Sequence, residues 1–222
     1  MRKSLLALSI LATALAAPLA QAYQAGDVIL RAGAATVDPH EDSSALKLNG
    51  ATLGGQATVD SDTQLGLTGT FMLTDNLGIG LLAATPFQHQ VGVKGLGALD
   101  GKLADIKHLP PTLSLQYFPL AASSRLQPYV GAGLNYTTFF DEDLTSQRES
   151  QGFSNLELDD SWGLALEAGV DFMLTDNLLV NATVWYLDID TTATADLAGT
   201  NRVKVDVDID PWVYMVGLGY KF

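Results

Sequence analysis

Three groups of side chains in this sequence could do chemistry. They are the histidines His40, His89 and His108; the charges Arg31, Glu167, Asp171 and Lys221; and carboxylates concentrated at Asp141-Glu142-Asp143, Asp188, Asp190, Asp206, Asp208 and Asp210. A hydrolase needs a nucleophile, a histidine base and a group that orients the base. No Gly-x-Ser-x-Gly element is present, and His108 and Ser114 stand too far apart along one strand to form such a pair. Alternation places His89 on the outer face and His108 on the inner face, so no histidine metal triad is expected. Asp206, Asp208 and Asp210 alternate as in a calcium loop, but the sixth position is Pro211 and the twelfth is Gly217, which excludes an EF-hand. With Cys 0 there is neither a thiol nucleophile nor a thiolate metal site. The expectation is a protein that is not an enzyme and uses no cofactor and no metal.

The elements that carry these groups are strands. The last twelve residues, Pro211 to Phe222, set Trp212, Tyr214, Val216, Leu218, Tyr220 and Phe222 on one face, with aromatics at both ends. Trp212 and Phe222 are 10 residues apart, roughly 33 Å of strand, or about 25 Å of depth at a tilt near 40°. That depth matches the apolar band of an outer-membrane barrel. Eight such segments are expected, at about Asp27 to Val37, Thr63 to Leu73, Leu77 to Gln90, Leu109 to Phe118, Pro128 to Phe140, Trp162 to Leu174, Leu178 to Ile189 and Asp210 to Phe222. An even number lets both termini lie on one side of the membrane.

Phe71-Met-Leu-Thr-Asp-Asn-Leu77 recurs letter for letter as Phe172-Met-Leu-Thr-Asp-Asn-Leu178, which reads as two equivalent tight turns. The segment Pro119 to Gln127 is short as well, whereas Asp38 to Asp62, Val91 to His108, Asp141 to Ser161 and Asp190 to Ile209 are longer and polar or Gly-rich. The fold class is therefore all-β: an eight-stranded antiparallel transmembrane β-barrel with short periplasmic turns and long extracellular loops. Parity sends Phe71, Tyr117, Phe172, Tyr220 and Phe222 outward near the turns, and Phe87, Tyr136, Phe140, Trp162, Tyr186 and Trp212 outward near the loops, as two girdles. A soluble barrel would instead bury its apolar face inward.

Residues 1–22 carry Arg2 and Lys3, an apolar stretch from Leu5 to Leu19, and the small-x-small site Ala20-Gln21-Ala22. They read as a signal peptide cleaved before Tyr23, leaving residues 23–222 as the barrel in the outer membrane of a Gram-negative cell. Loss of the leader leaves 10 basic against 25 acidic residues, a net charge of −15, so nucleic acid is not an expected partner. The acidic clusters form an outer rim of solvated loop charge, which divalent cations could also bridge to lipopolysaccharide phosphates.

Inside the barrel, parity brings Arg31, Glu167, Asp171 and Lys221 together near the turn end, where opposite charges pair into a plug that braces and occludes the lumen. Eight strands leave an interior that is filled or holds one small ligand, not a water-filled bore. Higher up, Leu82 and Ala84 in the third segment and Leu179, Trp185, Leu187 and Ile189 in the seventh point inward. Either they pack as filler or they line an apolar pocket for a small hydrophobic solute. Pro86, Pro110 and Pro111 lie near the outer ends of adjacent segments, where each removes a ladder hydrogen bond. They either end the sheet there or weaken the wall enough for it to open sideways into lipid.

Leu81-Leu-Ala-Ala-Thr-Pro-Phe87, His108-Leu-Pro-Pro-Thr112, Pro128-Tyr-Val-Gly-Ala-Gly133, Asn135-Tyr-Thr-Thr-Phe-Phe-Asp141, Asp160-Ser-Trp-Gly163 and Val184-Trp-Tyr-Leu-Asp-Ile-Asp-Thr-Thr192 resemble the OmpW family of outer-membrane proteins. The resemblance spans the mature chain and is weakest at Glu41 to Ala57 and Val91 to Lys102. It implies a narrow hydrophobic channel, constricted at Leu82 and Trp185, that carries small hydrophobic molecules across the lipopolysaccharide layer and releases them through the wall. It also implies that Gly217, Tyr220 and Phe222 form a carboxy-terminal signal for the outer-membrane assembly machinery, although Met215 stands where a polar residue is common. Small amino acids are alternative solutes for this family. A plugged barrel acting as a surface receptor or structural protein is the alternative of another class.

Overall fold

The computed structural model describes residues 22–222. Apart from Ala22, the expected leader lies outside the described residues. Eight strands build the wall: β1 (Val28–Asp38), β2 (Asp62–Met72), β3 (Leu77–Ala84), β4 (Thr112–Tyr117), β5 (Leu126–Leu144), β6 (Ser161–Met173), β7 (Leu178–Leu187) and β8 (Trp212–Lys221). Two sequential hairpins explain half of this order. The identical heptapeptides make identical turns, in which Thr74 Oγ1 accepts from the Leu77 amide at 3.0 Å and Thr175 Oγ1 from the Leu178 amide at 3.0 Å. The asparagines then tie each turn to the neighbouring strand end: Asn76 Nδ2 donates to the Phe118 carbonyl at 2.6 Å, and Asn177 Nδ2 to that of Lys221 at 2.7 Å.

Every strand pairs antiparallel with its sequence neighbours, and β8 pairs with β1 to close the sheet. Closure removes free edges, as a structure immersed in hydrocarbon requires. At the seam, Gly33 faces Gly217. A Cβ on Gly33 would stand 2.2 Å from the Val216 carbonyl oxygen, and one on Gly217 2.2 Å from that of Ala32, so both positions exclude a side chain.

The outward face is apolar and open. Trp162 is 74% exposed, Leu164 64%, Val216 64% and Leu218 58%, which makes sense only if lipid covers them. Phe71, Tyr117, Phe172, Tyr220 and Phe222 are exposed near the turns, and Trp162 and Trp212 near the loops. Tyr136 packs on Trp162 and Tyr186 on Trp212, with ring centroids 4.6 and 5.4 Å apart.

Two departures from the expected strands have separate physical causes. The segments expected as loops are largely β-structure standing above the barrel. Phe87–Lys94, Gly101–Leu109 and Gln56–Val59 extend the wall on the β5 side, since β5 itself runs for 19 residues. Opposite them, Phe153–Leu158, Asp190–Leu197, Asn201–Asp208, Leu46–Leu48 and Ala51–Gly54 form a second sheet. Their inward valines and leucines have enough apolar surface to fold outside the membrane.

The other departure is the interruption of the third segment at Thr85-Pro86. Register runs up to Leu82↔Thr112 and resumes at Phe87↔His108, with four residues on one strand facing three on the other. The extra residue reverses the inside–outside parity of its own strand above the interruption, while the facing strand keeps His108 inside as expected. Phe87 and His89, expected on the lipid side, are therefore buried inside, at 1% and 5% exposure.

Candidate functional site

Near the turn end, the inward side chains form a polar network. Arg31 on β1 reaches across the lumen to Asp171 on β6: Nε donates to Oδ1 at 2.9 Å and Nη2 to Oδ2. Arg31 Nη1 donates to Thr70 Oγ1 at 2.8 Å, and Thr70 donates to Gln116 Oε1 at 2.9 Å. Asn181 Nδ2 at 2.8 Å and the Tyr23 hydroxyl at 2.5 Å complete the shell of Asp171. The guanidinium also lies 5.4 Å from the Tyr129 ring centroid. A two-pronged pair with every remaining lone pair satisfied is the arrangement in which a buried charge pair is tolerated.

Glu167, expected in this cluster, does not pair with Arg31 in the ladder of contacts; it accepts from Ser114 Oγ at 2.7 Å. Room for it comes from Gly131 on the facing strand, where a Cβ would sit 2.3 Å from Glu167 Oε1. Lys221 lies at the rim, its Nζ 3.8 Å from Asp27 Oδ2. Sequence reasoning missed Tyr23, which is fully buried and stacks edge-on against Phe118 at 5.2 Å. Below the network, Ile29, Met72, Met173 and Leu179 join Tyr23 in a small apolar cluster. Leu179 therefore belongs to the bottom of the barrel and not to the pocket where parity alone had grouped it.

Above Glu167 the interior changes character. Trp185 pairs with Glu167 across β6 and β7, and Leu82 pairs with Thr68 and Thr112. Leu82, Trp185 and Leu187 are 5%, 2% and 0% exposed and lie in one contiguous cluster with Val213, Met215 and Ile189. That cluster continues into Leu46, Val203 and Val207, which line a cavity of about 140 Å³ between the two outer sheets. A void of this size admits a molecule on the scale of a single aromatic ring. Its wall is almost wholly aliphatic and aromatic, so a polar solute would lose its hydration without replacement.

The three prolines sit at the wall interruption. Pro86 is exposed beside Thr85, Pro110 is buried and Pro111 is exposed. On the β5 side the wall stays laced, since the Tyr136 amide donates to the Pro111 carbonyl at 3.0 Å and Thr138 pairs with Leu109. On the β2 side, Asp62 bridges by side chain, accepting from the Gln88 amide at 2.8 Å and from Gln64 Nε2 at 2.9 Å.

At the outer rim, one carboxylate oxygen from each of Asp188, Asp190 and Asp210 lies within 4.8 Å of the others. Burial, with Asp208, Asp188 and Asp210 alongside, holds the Asp190 carboxyl above its usual range. Of the carboxyl-terminal residues, Tyr220 and Phe222 are exposed with ring centroids 4.7 Å apart.

Comparison with known proteins adds independent support. The model of the OmpW family matches residues 24–222. Outer membrane protein W of Vibrio cholerae serotype O1 is 49% identical over 224 residues, covering 100% of this chain and 100% of that protein. The crystal structure of the outer membrane protein OprG from Pseudomonas aeruginosa is 62% identical, with a TM-score of 0.88, covering 91% of this chain and 98% of that one. The dibenzothiophene metabolism operon protein PahQ of Pseudomonas aeruginosa is 27% identical over 182 residues, covering 81% of this chain and 82% of that protein.

Proposed function

This chain belongs to the OmpW family and forms an outer-membrane β-barrel, and we propose that it takes up small hydrophobic molecules passively through the apolar outer half of its lumen. The observation that carries this reading is the apolar cavity between the outer sheets, which rests on a packed apolar cluster reaching down to Leu82, Trp185 and Leu187. Below it stands the Arg31–Asp171 network, which an apolar solute gains nothing by crossing. A solute burying about 150 Å² gains about 4 kcal/mol, a millimolar affinity suited to passage and not to storage. The relationship to a protein of a dibenzothiophene metabolism operon supports an apolar cargo.

Release occurs sideways, into the membrane. The interruption between β3 and the Leu109–Pro111 stretch, with Pro86, Pro110 and Pro111 at its edges, supports this exit, because prolines there cannot restore the missing amide donors. The acidic rim meets lipopolysaccharide and outer-membrane lipid. Residues 1–22 direct export and are cleaved before Tyr23, and Gly217, Tyr220 and Phe222 present the ending to the assembly machinery.

The test is uptake by porin-poor cells of a small apolar solute and, separately, of glycine, with and without this protein. Faster apolar uptake supports the proposal. Glycine uptake alone transfers the reading to a small polar solute channel, and uptake of neither, with normal assembly, transfers it to a receptor or structural barrel.

A further inference from the structure

The cavity wall holds one polar pair that neither the plug nor the wall requires. His89 and His108 both line the cavity, with Nε2 atoms 2.9 Å apart. Their proton positions follow from their partners. His89 Nδ1 lies 2.5 Å from the Asp60 carbonyl oxygen, which can only accept, so Nδ1 carries the proton. In the neutral ring His89 Nε2 is then a bare acceptor, and His108 Nε2 must be the atom that donates to it. This leaves His108 Nδ1 as a lone-pair acceptor, and it is buried without a partner. Burial pushes both rings below the usual histidine range, and the neighbouring His89 lowers His108 further, to about 3, in keeping with the neutral forms. The ring cannot swing to find water, because Phe87 and Phe139 stack on it with centroids 5.5 and 5.9 Å away. A buried acceptor left unmatched is costly, and that cost is recovered when an occupant that brings a donor displaces the side chains sealing Nδ1 from the cavity.

We propose that His108, held by His89, is a hydrogen-bond acceptor site in the cavity that favours solutes with one O–H or N–H donor on a small apolar body, such as phenols, over pure hydrocarbons. The proposal rests on the apolar-lumen reading and narrows its substrate class.

The test uses the full barrel in lipid nanodiscs with 15N-labelled histidine, titrated with p-cresol and with p-xylene, which differ by a hydroxyl in place of a methyl. After correction for partition into lipid, p-cresol binds about tenfold tighter, the return expected from one buried hydrogen bond. The His108 Nδ1 resonance moves from the position of a free imine nitrogen toward that of a hydrogen-bonded one with p-cresol and stays in place with p-xylene. His108→Phe binds both solutes alike. An unmoved Nδ1 resonance at saturating p-cresol, or a Phe variant that keeps the full preference, overturns the proposal. Should the variant fail to assemble, the native resonance decides alone. Binding of both solutes without discrimination overturns this inference only, whereas binding of neither overturns the apolar-lumen reading as well.

Discussion

The two halves of this barrel share one sheet and one alternation of side chains, yet they solve opposite problems. Toward the turns, Arg31, Asp171, Thr70, Asn181 and Tyr23 satisfy one another across the lumen. Toward the loops, Leu82, Trp185 and Leu187 present only hydrocarbon and indole to the interior, and above them space is left open. A polar network is costly when incomplete, so it fixes a single closed arrangement. An apolar lining has no such penalty and can yield to a passing molecule. The lesson is that the chemistry of the inward face, and not the strand number, decides which part of a narrow barrel closes and which part accepts a guest.

The largest effect expected from breaking this contrast is at the plug. Arg31→Met leaves Asp171 buried and uncompensated and lowers stability by about 3–5 kcal/mol, measured by urea unfolding in lipid vesicles. Adding Asp171→Leu should recover most of that loss, because replacing both charges removes the unpaired one. A double variant as unstable as the single one would show that the remaining partners Tyr23, Asn181 and Thr70, and not the charge pair, hold the network.

A smaller loss sharpens the boundary between the halves. Gly131→Ala drives a methyl into the space of Glu167 Oε1 and should destabilise by about 1–3 kcal/mol, the usual range for overpacking. Gly131→Ala combined with Glu167→Gln or Glu167→Ala separates crowding from lost hydrogen bonding: only the shorter side chain should relieve the strain.

The smallest effect is a pH dependence of the outer half. His89 and His108 lie above the outer aromatic girdle, and both are held below the ordinary histidine value of 6.5, His108 at about 3. Between those values the unfolded chain binds protons that the folded chain refuses. The stability from the neutral pair is therefore complete above about pH 6.5 and is lost progressively as the pH falls toward 3. Unfolding midpoints compared at about pH 7 and about pH 5 should fall for the native protein and fall less for His108→Phe. An equal fall in both would remove the pair from this account.

Much of this was legible in the residues. The two copies of Phe-Met-Leu-Thr-Asp-Asn-Leu announced their turns because Thr and Asn make local hydrogen bonds that need no tertiary context. The outward aromatics and the inward positions of Arg31, Asp171, Leu82, Trp185 and Leu187 followed from period-two alternation. What alternation cannot show is a change of phase. One extra residue at Thr85-Pro86 turned Phe87 and His89 from lipid-facing to lumen-facing. The signal was present, since Pro86 interrupts a ladder and Phe87, His89 and Val91 restart an alternation of their own. The outer sheets were hidden because their polar and Gly-rich segments resemble loops until paired. Tyr23 was hidden because a single residue outside a strand has no pattern to belong to.

The contrast between the halves is tested most directly by uptake of one small apolar solute in porin-poor cells expressing the native protein, Leu82→Arg, or Arg31→Met with Asp171→Leu, at matched levels in the membrane. Leu82→Arg should reduce uptake to that of cells without the barrel, while the plug variant should transport at the native rate. Native uptake through Leu82→Arg, or a change of apolar flux when only the plug is altered, would contradict that contrast.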